Sequence, residues 1–95
     1  MSTDNATRDR VRTMAGELLA VTLTPEQDEI LLNDLEPDRY NSLGVLDFVA
    51  SIEQEFGVSI EVVDDDLEVT FRSVATISTL VDRKLADAKA MQWQS

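Results

Sequence analysis

Ninety-five residues, 43 % of them hydrophobic, suffice for one small domain around a single core, and neither cysteine nor histidine is present, which excludes disulfides, thiolate chemistry and the commonest general base. Nineteen acidic residues against eight basic ones give a formal net charge of −11, and fifteen of the acids lie between Glu17 and Glu68 with Arg39 as the only base among them. Nucleic acid needs clustered Lys and Arg and is not an expected ligand.

A basic protein surface suits this charge better, because opposite potentials steer encounter, although acidity also serves solubility alone. Residues 1–13 are polar and charged and no apolar run approaches the roughly 20 residues of a membrane span, so neither an export signal nor a membrane segment is expected and the cytoplasm is the expected location. The whole chain, 1–95, reads as one domain, its packed part between about 7 and 88 and its tails expected to be mobile.

The first helix is expected to begin near Thr7, where Val11, Met14, Ala15, Leu18 and Leu19 recur at helical spacing opposite Arg8, Arg10 and Arg12, and to fade near Val21. A long connection follows. Within it Thr24-Pro25-Glu26-Gln27 fits a capping box with proline at the first helical position, predicting a short helical turn. Pro37 disfavours helix at Glu36.

The next helix is predicted from about Ser42 to a stop at Gly57, with Val45, Phe48, Val49, Ile52 and Phe56 on its core face. A second apolar line, Leu43, Leu46 and Ala50, runs along a different flank bordered by Asp47, Glu53 and Gln54, and a helix burying one stripe does not need it. Val58–Val63 alternates loosely but lacks a partner strand, so it reads as a connection into a short third helix around Val62 to Val69. The Asp64-Asp65-Asp66 run is not an EF-hand, since Val69 occupies the glycine position of such a loop; no metal site is expected. The last helix takes Ser73 as its cap, buries Val74, Ile77, Leu80, Val81, Leu85 and Ala88, and runs toward Met91. These elements predict an all-α fold, a small four-helix bundle of three long helices and one short, with a long first loop.

Ser42 poses the functional question. A nucleophilic serine needs a base, and with no His or Cys and only the distant lysines Lys84 and Lys89 an enzyme is not expected. Ser42, or Asn41 before it, could simply cap the helix. Against that, Val45 occupies the place of the capping-box partner, and Leu43 and Leu46 put an apolar edge beside the hydroxyl. A phosphodiester on Ser42 would sit at the favourable end of the helix dipole.

The stretch Asn41-Ser42-Leu43-Gly44-Val45-Leu46-Asp47-Phe48, followed by Ile52-Glu53-Gln54-Glu55-Phe56-Gly57-Val58, resembles the signature of acyl carrier proteins, in which Asp-Ser-Leu opens an acidic helix ending in Glu-Phe-Gly. Phe71-Arg72-Ser73-Val74-Ala75-Thr76-Ile77 is similar to the entry into that family's last helix, and the likeness spans about Val11 to Leu85. The resemblance implies that a phosphopantetheinyl transferase, using coenzyme A and magnesium, attaches 4′-phosphopantetheine to Ser42, and that acyl groups ride on its thiol. It also implies docking to acyl-loading and acyl-processing enzymes with basic surfaces through Asn41, Leu43, Leu46, Asp47, Ala50 and Glu53, by a monomer. The alternative for the apolar line is that Leu43 and Leu46 pack against the long loop.

Three departures stand out: Asn41 replaces the family's usual aspartate, Gly44 occupies a frequently acidic position and weakens the first turn, and the stretch from Val58 to Ser73 is a few residues longer than in typical fatty-acid carriers. They lean toward a specialised carrier of polyketide or fatty-acid-like secondary metabolism. An aminoacyl or peptidyl carrier is the alternative within the class, although the common Gly-Gly-x-Ser is absent; an unmodified acidic adaptor is the alternative outside it.

Overall fold

The computed structural model describes the backbone of residues 2–61 and 66–94, and the side-chain surroundings of residues 6–61 and 66–88. Along the chain run α1 (Ser2–Leu19), a 3-10 turn (Pro25–Gln27), α2 (Leu32–Leu35), α3 (Ser42–Phe56), α4 (Leu67–Thr70) and α5 (Val74–Gln94). The all-α class is as expected, but the described residues hold five α-helices, three long and two of a single turn. The extra one, α2, lies inside the long first connection. A Cα radius of gyration of 13.1 Å is what about 100 residues give when packed as one unit.

α5 packs chiefly along α1, α1 also meets α3, and α4 rests on α5. The periodicity explains why. Val11, Ala15 and Leu19 from α1, Phe48, Val49 and Ile52 from α3, and Val74, Ile77, Leu80 and Val81 from α5 share one buried cluster, which Leu32, Tyr40, Ile60 and Phe71 join from the connections. Val45 and Phe56 are half-buried at its edge. Among the described residues of α5, Leu85 is half-buried and Ala88, expected inside, is exposed. The last helix is capped as its sequence suggests, with Ser73 Oγ accepting the Thr76 amide while Thr76 Oγ1 accepts the Ser73 amide.

Three boundaries differ from expectation. α1 begins at Ser2 and not near Thr7, and α5 runs to Gln94, beyond the expected Met91. The third helix is shorter than Val62–Val69: it starts only at Leu67, after Asp66 in left-handed geometry (φ 47°), while positions 62–65 lie outside the described residues. The Ile60 amide bonds the Glu53 carboxylate at 2.8 Å, a side-chain partner where a strand would offer a backbone one.

The long connection is held from both sides. Asp28, 3 % exposed, takes two 2.7 Å bonds from the Arg12 guanidinium, and its own carbonyl accepts the Ala75 amide at the start of α5. The bonds to Asp28 hold the Arg12 pKa above its ordinary value. Four residues on, the Leu32 amide donates to the Arg72 carbonyl.

α1 ends in a Schellman turn, the Val21 amide returning to the Gly16 carbonyl at 3.0 Å with Ala20 left-handed at φ 61°. A Cβ costs roughly 1 kcal/mol in that geometry. Ala20→Gly is therefore expected to stabilise the fold by about 1 kcal/mol, raising the midpoint of thermal unfolding by roughly 4–8 °C. Gly57 ends α3 at φ 66° with open space around it, so Gly57→Ala is expected to lower the midpoint by a similar amount.

Candidate functional site

The approach to Ser42 is a turn anchored by an aromatic side chain. Glu36, kept out of helical geometry ahead of the proline, accepts the amides of both Arg39 and Tyr40 at its carbonyl. Tyr40 then enters the core: its ring meets Phe48 edge-on at 6.4 Å, Phe48 meets Phe71 at 6.0 Å, and its hydroxyl donates to the Phe71 carbonyl. Burial pushes the Tyr40 phenol well above its ordinary value, so it remains a neutral donor. Asn33 Nδ2 donates to the Tyr40 carbonyl at 3.3 Å, so this residue is held through both side chain and backbone.

Asn41 is the cap of α3. Its Oδ1 accepts the Gly44 amide at 3.0 Å, and its Nδ2 donates to the Asp38 carbonyl at 3.2 Å. An aspartate could make the first bond and not the second, which gives this departure a local reason. Gly44 has one too: a Cβ at this buried position would fall on the Arg39 carbonyl, so the turn closes against α3 only with glycine there. Its role is close approach of two backbone segments, which outweighs the lost helix propensity.

Ser42 is thereby the first residue inside the helix, exposed, with capping assigned to its neighbour. The first turn carries no acidic residue. The amides of Ser42 and Leu43 precede the first intrahelical bond, which runs from Val45 to the Asn41 carbonyl, so this end of the helix presents free donors and positive potential where Ser42 emerges. Beside Ser42 opens a cleft of about 660 Å³ with Tyr40 and Phe71 among its lining, Leu31, Val45, Leu46 and Leu67 as apolar walls, and Asn33, Asn41, Glu68 and Arg72 as polar ones.

The second apolar line of α3 faces outward. Leu43 is 74 % exposed and Leu46 48 %, and Ala50 and Asp47 are exposed beside them. Leu43 therefore does not pack against the long loop, while Leu46 borders the cleft. Glu53 stands apart from this group: it is half-buried, and one of its carboxylate oxygens holds the Ile60 amide. Sequence reasoning missed Tyr40 and Arg72 as parts of this site. A lone aromatic just ahead of a cap was a usable signal for Tyr40, whereas nothing local marks Arg72, which reaches the cleft only through the tertiary fold. Among the described residues, no group of three or more His, Cys, Asp or Glu could hold a metal, and no helix is long and apolar enough to cross a membrane.

Comparison with known proteins agrees with the motif. The chain is 33 % identical over 84 residues to the acyl carrier protein of Petrotoga mobilis, an alignment that covers 83 % of this chain and 92 % of that one. No family model matches the chain, and no solved structure matches it significantly.

Two measurements check the local geometry. Asn41→Ala is expected to cost about 1 kcal/mol of unfolding free energy, whereas Ser42→Ala should stay within about 0.5 kcal/mol of the parent. Because the folded chain keeps Tyr40 protonated where the unfolded chain ionises it, the stability that this residue confers is fully present below pH 10 and is lost as pH rises above that value. Denaturant titrations between pH 8 and 11 should show that fall for the parent and a smaller one for Tyr40→Phe.

Proposed function

This chain belongs to the acyl carrier protein family, and on that footing we propose that Ser42 carries a 4′-phosphopantetheine arm, transferred from coenzyme A by a phosphopantetheinyl transferase, on which acyl intermediates are held as thioesters and delivered to biosynthetic enzymes. The observation that supports this most directly is the division of labour at the start of α3, where Asn41 caps the helix and leaves the Ser42 hydroxyl exposed at the mouth of a cleft. The arm supplies the thiol that a chain without cysteine lacks.

The residues present suit such a group. Free amides at the start of α3 and the absence of an acid in its first turn favour a phosphodiester on Ser42. Gly44, where an acid is frequent in the family, adds no negative charge beside that phosphate. Tethering makes delivery nearly intramolecular, replacing free diffusion of substrate with effective concentration.

For the docking of partners we propose the outer face of α3: Leu43, Leu46 and Ala50 as apolar contacts, Asp47 facing basic residues of the partner, Asn41 at the near end and Glu53 at the far end. Leu43 is the strongest anchor of this group by exposure. Glu53 contributes less, because one oxygen already serves the Ile60 amide. We place the carrier, a cytoplasmic monomer, in polyketide or fatty-acid-like secondary metabolism on the departures at Asn41 and Gly44. An unmodified acidic adaptor that docks through the same leucines is the second reading, favoured by their exposure alone.

Incubation with coenzyme A, magnesium and a broad-specificity phosphopantetheinyl transferase is expected to raise the intact mass by one phosphopantetheine group in the parent and not in Ser42→Ala. Unchanged mass with two different transferases would leave the adaptor as the correct reading.

A further inference from the structure

Cations are scarce in this chain, and their pairing is uneven. Arg12 is committed to Asp28 and Asp9, Arg8 lies 3.9 Å from Asp28, and Arg10 grips Glu55 with two bonds across α1 and α3. Arg39 and Arg72, by contrast, make no ion pair among the described residues, despite the large excess of acids. Both belong to the neighbourhood of Ser42. Arg39 precedes it by three residues, and Arg72 lines the same cleft.

Arg72 is held at this position by its backbone. Its carbonyl accepts the Leu32 amide at 2.8 Å, the carbonyl of Phe71 before it takes the Tyr40 hydroxyl, and Ser73 after it caps α5. Arg72 is exposed, so the guanidinium starts from a fixed point at the edge of a mainly apolar cleft. Glu68 lines the cleft as well but makes no ion pair with Arg72, so the guanidinium keeps its donors for an incoming group. A purely hydrocarbon cargo would leave this arginine unused.

We infer that Arg72 makes the cleft an anion site, its guanidinium pairing with an oxyanion tethered to Ser42, either the phosphodiester of the arm or a carboxylate at the far end of the cargo. This rests on the reading of Ser42 as a carrier. Guanidinium matches either group with two parallel N–H bonds, and tethering supplies the effective concentration that an exposed pair needs. Glu68 opposes the anion, so the site selects one that reaches past it to Arg72.

The test compares four forms of the full chain: unmodified, carrying the arm with a free thiol, carrying it as a butyryl thioester, and carrying it as a succinyl thioester, which differs from butyryl chiefly by a terminal carboxylate. Intact mass certifies each form, and the Nε–H resonance of Arg72, assigned by its loss in Arg72→Gln, reports the contact. A shift of equal size in all three loaded forms identifies the phosphodiester, and a shift confined to the succinyl form identifies the cargo carboxylate.

In the second case the succinyl form should melt above the butyryl form in the parent. That difference should vanish in Arg72→Gln, survive in part in Arg72→Lys and widen in Glu68→Gln. An unmoved resonance in fully loaded protein overturns the anion site and leaves the carrier reading intact. A chain that takes up no arm overturns both.

Discussion

A single buried carboxylate organises the longest connection of this small protein. Asp28 reaches back to α1 through its side chain and forward to α5 through its carbonyl, and without it the segment from Ala20 to Asn41 would be held chiefly by Leu32 and Tyr40, with the partly buried Leu23 and Leu35. Charges removed from water are costly, and a well-packed apolar pair can match a buried ion pair for stability. What the pair supplies is a direction. The guanidinium of Arg12 accepts one placement of Asp28, and that placement decides where the chain stands when it arrives at α3.

From there the control passes to residues 71–75. Phe71, Arg72 and Ala75 each exchange a bond with the connection, to Tyr40, Leu32 and Asp28 respectively, so three successive points of the loop are indexed to one short linker. The same linker ends α4, caps α5 and contributes both an aromatic and a cationic lining to the cleft at Ser42. Structure and site are therefore not separable here. A change that loosens the linker moves the arginine and the tyrosine hydroxyl together, and with them the turn that delivers the serine.

Much of this was legible in the chain itself, and the reasons are local. The start of α3, the capping box at Thr24 and the cap at Ser73 depend on side chains that bond their own neighbours, and the end of α3 on a glycine in the left-handed turn, so spacing reveals them. The outward set of Leu43, Leu46 and Ala50 followed from the 100° turn alone. Where partners are distant, sequence was silent or misleading. Arg12 reads as a surface residue until Asp28 is folded against it, and Gly44 reads as a weakness until the Arg39 carbonyl is seen beneath it. Glu53 reads as a docking acid, yet it spends an oxygen on Ile60, and Arg72 carries no local mark of the cleft that it lines.

The cap at Asn41 has a consequence for how such a chain can age. Because the fold's bonds at this turn belong to Asn41 and Gly44, a change at Ser42 leaves the turn standing, while a change at either neighbour opens it. If Ser42 carries the proposed arm, a copy that lost the serine would persist as a well-folded decoy, still displaying Leu43, Leu46 and Asp47 on α3. On that proposal, an intact turn around a missing serine would be the fossil of a carrier and the first form of an inhibitor.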